Sequence, residues 1–191
     1  MTFEPDGRRR RSLDSRQRIV SAMLWLVRNG AIAPSAEQVA ERAGVGLRTV
    51  FRQFKDMDSV YAGMAQAIEA ELDQVLANPL KGHSWRERLA DLIDRRALAF
   101  DKIAPFKRAA GAHRHASPFL EASHQRLTTA AREALRALLP APIAADAALF
   151  ESLDLILGYE AWSRLRREQG LSSDAARAVL TWAAARLIGE R

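Results

Sequence analysis

Ser35-Ala36-Glu37-Gln38-Val39-Ala40-Glu41-Arg42-Ala43-Gly44-Val45-Gly46-Leu47-Arg48-Thr49-Val50-Phe51-Arg52-Gln53-Phe54 holds a start signal, a break and a second short helix in twenty residues. Ser35 followed three positions later by Gln38 is a capping box, in which the hydroxyl and the amide each satisfy an orphan backbone N–H. Gly44-Val45-Gly46 interrupts the helical pattern. Gly44 suits a positive φ at the end of the first helix, and Gly46 suits the cap of the next. Ala40 is small where the two helices cross, and Val39, Val45 and Val50 fill the space between them. Two short helices around a tight turn form the helix-turn-helix arrangement.

Projected at about 100° per residue, the second helix puts Leu47, Val50, Phe51 and Phe54 on one side. Arg48, Thr49 and Arg52 face the other way. An arginine fork matches the O6 and N7 edge of guanine or a phosphate, and threonine reaches a phosphate or a thymine methyl. The bland reading is a solvated face on a core helix. Charge location argues against it. The net charge is +6, and residues 1–57 hold eleven basic and six acidic side chains. The rest of the chain holds eighteen and seventeen, so the excess sits where a polyanion would be met.

Composition narrows the classes further. There is no cysteine, which removes disulfides, thiolate metal sites and a cysteine nucleophile. Apolar residues make up 48%, too many for a disordered chain. No apolar run approaches the ~18 residues of a membrane span and no signal-like segment opens the sequence, so a soluble, cytoplasmic protein is expected. Of His83, His113, His115 and His124, only His113 and His115 form a local pair, without a third ligand. No phosphate-binding glycine loop or nucleophile elbow is present. No catalysis, cofactor or metal is expected.

Every other element also reads as helix, giving an all-α chain of about nine helices. The first spans Asp14 to Asn29, and Asp58 or Ser59 is expected to cap the fourth. Asn78-Pro79-Leu80-Lys81-Gly82 is a linker, and Ser84 with Glu87 is a second capping box. The helix it opens is expected to stop near Phe100 or Ile103, with Pro105 starting a short one that Gly111 ends. Ser117-Pro118 opens a helix to Leu139. Two long helices close the chain, Ala144 to Glu168 and Ser172 to Gly189. The division expected is a basic disordered arm over 1–13, a helix-turn-helix domain over 14–58, and a helical effector-binding and dimerisation domain over 59–191. Arg8 to Arg11 read as a tail adding nonspecific affinity; the other reading is an arm into a narrow minor groove.

Two polar side chains fall on apolar stripes. Arg96 lies among Trp85, Leu89, Ile93 and Phe100, and His124 among Leu120, Leu127 and Ala131. A buried guanidinium needs an anion. The choice is a polar or acidic small molecule, in a pocket lined by Trp85, Leu89, Arg96, Phe100, Phe106 and His124, or an internal carboxylate such as Glu160 or Asp154. The eighth helix is apolar on two sides, and the last carries small residues that allow close packing. Leu155, Tyr159, Trp162, Val179, Trp182 and Ala183 are the candidate faces of a two-fold dimer; a monomer core is the alternative.

Ile19 to Met64 resembles the DNA-binding domain of the TetR family of transcriptional regulators. The match is carried by the capped helix, Val39-Ala40, Ala43-Gly44-Val45, and then Thr49-Val50-Phe51 closed by Phe54. Glu160-Ala161-Trp162-Ser163-Arg164-Leu165 is similar to the start of that family's dimerisation region. The resemblance implies a homodimeric repressor on double-stranded DNA with a near-palindromic operator, released by an unidentified small-molecule effector. It implies DNA contacts from Ser35, Gly46, Leu47, Arg48, Thr49, Phe51 and Arg52. The family usually has tyrosine at the place of Phe51, often serine at Gly46 and commonly lysine at Met57; Lys55 stands in for that lysine. Glu37 would repel a nearby phosphate. The rival reading is a helical ligand-binding or adaptor protein whose basic head does not read DNA sequence. A second rival is a helical enzyme acting through Arg96 and His124 on an anionic substrate.

Overall fold

The computed structural model describes residues 7–76 and 78–189. Ten α-helices follow one another, and no strand occurs among the described residues. They are α1 (Gly7–Arg28), α2 (Ala36–Ala43), α3 (Leu47–Gln53), α4 (Met57–Leu76) and α5 (Trp85–His113). After a 3-10 turn over Arg114–Ala116 come α6 (Pro118–Leu138), α7 (Ala141–Ala145) and α8 (Ala147–Ile156). Next is α9 (Tyr159–Ser163), which continues as a π-turn over Arg164–Glu168, and last α10 (Ser173–Leu187). No helix among the described residues is long and apolar enough to cross a membrane.

The local signals act where the sequence places them. Ser35 and Gln38 exchange both capping-box bonds, and Gly44 ends α2 at φ 62°. Ser84 and Glu87 repeat the reciprocal pair ahead of α5. The Ser117 hydroxyl accepts from Leu120 N–H at the start of α6, and the Ser172 hydroxyl from Ala175 N–H ahead of α10.

Five expectations need correcting. α1 begins at Gly7 and not at Asp14, so Arg9, Arg10 and Arg11 lie on a helix where a disordered arm was expected. Residues 1–6 of that arm lie outside the described residues. Asp56, not Asp58 or Ser59, caps α4: its carboxylate accepts from Ser59 N–H, and the Ser59 hydroxyl accepts from Asp56 N–H. α5 runs on through Pro105 to His113. Proline inside a helix costs roughly 3 kcal/mol, which burial of Ile103, Phe106 and Ala109 around it offsets. Gly111 does not stop this helix because its φ is not positive. Finally, the single helix expected from Ala144 to Glu168 is three. Asp146 accepts from Leu149 N–H and so opens α8, and the chain breaks again at Leu157-Gly158.

The chain forms two compact units, Met1–Glu71 with Pro105–His124, and Leu72–Ala104 with Gln125–Arg191. In the first, Ile19, Met23 and Val27 of α1 are buried with Val39 and Ala40 of α2, Val50 of α3, and Val60 and Met64 of α4. In the second, Leu89, Leu92 and Ile93 of α5 pack in one core with Leu135, Phe150, Leu153, Leu157, Trp162 and Leu180.

Candidate nucleic-acid interface

Seven residues make α3, and its orientation depends on two positions. Val50 is fully buried and Phe54, which ends the helix, is buried beside it. With these two inserted, Arg48 and Arg52 are exposed and Thr49 is half-buried. Arg48 and Arg52 form no hydrogen bond or ion pair among the described residues. Leu47 and Phe51 depart from the projection: both are exposed, Phe51 at 47%. On so short a helix the contact stripe is only as wide as Val50 and Phe54, and flanking apolar side chains stand on its shoulders. The outer surface of α3 is therefore mixed, two guanidiniums with a phenyl ring and an isobutyl group. Ser35, Gly46 and Lys55 are exposed around it.

Two basic residues of the head have other work. Arg18 Nη2 donates to the carbonyls of Ala43 and Gly44, at the C-terminal end of α2. Arg16 Nη1 donates to Gln53 O at 2.8 Å, at the end of α3, with its guanidinium over the Phe54 ring. Cations at helix C-termini satisfy the last carbonyls and oppose the helix dipole. Sequence reasoning counted both with the polyanion-facing charge, because only the tertiary fold brings α1 to those two helix ends. Arg42 stacks on Trp25 at 3.8 Å, on α2 and α1 respectively. Glu37, exposed in the first turn of α2, has its carboxyl held below the usual range by its own backbone N–H and by Ser35.

Gly44 yields a direct test of this head. An L side chain at its left-handed φ costs roughly 1–2 kcal/mol, and a Cβ there would also meet Arg18 Nη2 at 2.9 Å. Gly44→Ala should lower the melting temperature by several degrees, with DNA affinity falling in step as the head loosens. An unchanged melting temperature would count against the Arg18 cap.

The six expected pocket residues separate between the units. Leu89 and Arg96 are buried in the second unit, with Trp85 and Phe100 half-buried; Phe106 and half-buried His124 belong to the first. Arg96 Nη1 donates to Leu157 O at 3.1 Å and Nη2 to Ala131 O at 2.6 Å. Burial pulls its pKa down, and the nearby Asp154 charge opposes that. Its direct partners are thus two backbone carbonyls, while Asp154 pairs with Arg132. Glu160, the other candidate partner, is exposed. His124 Nδ1 lies 3.0 Å from Lys107 Nζ, so the ammonium donates and the imidazole accepts.

One feature of the first unit was not legible. Tyr61 Oη and His113 Nε2 are buried without a hydrogen-bond partner among the described residues. Their rings lie 4.5 Å apart at 41°. Burial pushes the Tyr61 phenol up to about 12, so it remains a neutral donor. Arg114 Nε is a third such atom, 3.3 Å from a Glu121 carboxylate oxygen. In the sequence His113 reads only as half of a local pair with His115. No cluster of three or more metal-ligating side chains occurs among the described residues.

The candidate dimer face divides as well. Trp162 is 1% exposed and donates its indole N–H to Asp101, so it belongs to the core and leaves the interface list. Tyr159 is half-buried, edge-on to Phe100 at 5.7 Å. Leu155, Val179 and Trp182 are exposed, Trp182 at 63%, and Ala183 is half-buried beside it.

The fold is similar to that of several solved structures. The Streptomyces coelicolor A3(2) protein SCO7518 matches with a TM-score of 0.62 at 21% identity, over 92% of this chain and 98% of that one. A TetR-like transcriptional regulator from Rhodococcus sp. RHA1 matches with a TM-score of 0.61 at 19% identity, over 94% and 97%. The multidrug binding protein EbrR, complexed with imidazole, matches with a TM-score of 0.58 at 19% identity, over 88% and 93%. No protein-family model matches the sequence, and no curated protein matches it. The chain shares its all-helical fold with these structures.

Proposed function

We propose that the chain is a sequence-specific DNA-binding transcriptional regulator, a homodimeric repressor released from a near-palindromic operator by a small molecule. Residues 14–58 bind DNA, and 59–191 carry effector binding and dimerisation. The observation that carries the reading is α3: buried Val50 and Phe54 turn Arg48 and Arg52 outward beside exposed Phe51, and neither arginine forms a hydrogen bond or ion pair among the described residues. Ser35, Gly46, Leu47, Thr49 and Lys55 border the same surface. Selecting bound duplexes from random DNA with purified protein tests it. A recurring two-fold motif with half-sites about one or more helical turns apart is expected; no enrichment would favour the adaptor reading.

Exposed Leu155, Val179 and Trp182 support dimerisation. Val179, Trp182 and Ala183 stand at i, i+3 and i+4 on α10, one continuous apolar face that water penalises. Trp182→Glu should give a monomer by light scattering at micromolar concentration and lose operator binding while staying folded. A dimer in that variant would remove α10 from the interface.

For the effector, Tyr61 and His113 are better supported than Arg96. Buried polar groups are normally paired, and these two offer a neutral donor and an imidazole nitrogen that have no partner among the described residues. An uncharged, hydrogen-bonding molecule fits them. By linkage, effector and DNA weaken each other equally.

A further inference from the structure

Arg9 to Arg11 are placed by the fold in a way that a tail would not be. They occupy the first turns of α1, which is continuous from Gly7 to Arg28. Further along the same helix the Ser12 hydroxyl and the Gln53 side-chain amide exchange hydrogen bonds at 3.1 and 3.2 Å. Arg16 donates to the Gln53 carbonyl. This side of α1 is therefore fastened to the end of α3. Residues at i, i+3 and i+7 share a helix face, so Arg9, Ser12 and Arg16 form one row. Arg9 continues it one turn past the point of attachment, roughly 4.5 Å along the axis at 1.5 Å per residue. Arg9 and Arg10 are both exposed.

We propose that the first two turns of α1 are a rigid basic spur, fixed to the end of the recognition helix, that grips DNA phosphates bordering the groove α3 enters. This rests on the DNA-binding reading above. Guanidiniums pair with phosphate oxygens bidentately, and such contacts position a protein without reading sequence. A flexible basic tail must be ordered when it binds. Here the helix has already fixed the spacing, so the two arginines add affinity without that entropic cost.

The test uses the full chain, a duplex selected by it and extended at both ends, and three variants. Each phosphate contact contributes about 0.9 to the slope of log affinity against log salt. Arg9→Gln with Arg10→Gln should therefore flatten the slope by about 2 per subunit. It should also erase ethylation interference at the outermost phosphates, with the preference for selected over random duplex unchanged. Arg9→Lys with Arg10→Lys should restore most of the slope. Ser12→Pro keeps every charge but breaks the helix, and should lose the same outer contacts.

An unaltered slope and interference pattern in the glutamine variant would overturn the spur. Full retention of the outer contacts in Ser12→Pro would overturn its rigidity. A change in preference among flanking sequences would replace phosphate grip by minor-groove reading. Wild-type protein that enriches no duplex defeats the DNA reading itself, a result distinct from all of these.

Discussion

Arg48→Ala combined with Arg52→Ala should reduce binding to a selected operator by at least about a thousandfold, to the level of random duplex. Each well-placed arginine fork discriminates by about 1–3 kcal/mol. A dimer loses four, so even the low end is roughly 4 kcal/mol, near a thousandfold. Folding should hardly change, because both side chains are exposed and neither is paired within the described residues. Competition assays at constant salt, with circular dichroism as the control, read the outcome. If affinity for operator and random duplex fell by the same small factor, the arginines would be phosphate contacts only. If neither changed, α3 would not be the reading head.

Arg96→Ala should destabilise the protein by about 3–5 kcal/mol, the range for truncating a large buried side chain. Two effects add. A cavity opens beneath Leu157 and Ala131, and the Leu157 carbonyl, at the break between α8 and α9, loses the Arg96 donor. Arg96→Met fills most of the space and should cost about 2 kcal/mol, near that of one unsatisfied buried carbonyl. Asp154 is not orphaned in either variant because Arg132 already pairs with it at 2.5 Å. Chemical denaturation measures both. Should Arg96→Met fold with unchanged stability yet stop responding to an acidic effector, the structural role would be wrong and the pocket role revived.

The contrast between these two arginine sites shows how far sequence carried the reading. Caps were legible at Ser35, Ser84 and Ser117 because a cap depends only on residues within one turn of it. The outward face of α3 was legible for Arg48 and Arg52, since helical spacing puts them opposite Val50 and Phe54. The exposure of Leu47 and Phe51 was not, because it depends on how much surface α1 and α2 offer a seven-residue helix. Arg96 was rightly placed on an inward stripe, but its partners are backbone carbonyls on α6 and at the break after α8, which no periodicity reveals. Trp162 and Trp182 illustrate the same limit. Both lie on apolar helices near the end of the chain, and only packing shows that one is core and the other is surface. Tyr61 and His113 are far apart in sequence and meet only in the folded first unit.

The bonds from Arg16 and Arg18 end on neutral peptide oxygens, not on carboxylates. Dissolved ions weaken attraction between full charges far more than short contacts between a cation and a dipole at touching distance. Brine strong enough to strip the protein from nucleic acid should therefore leave the three-helix head intact, ready to rebind on dilution.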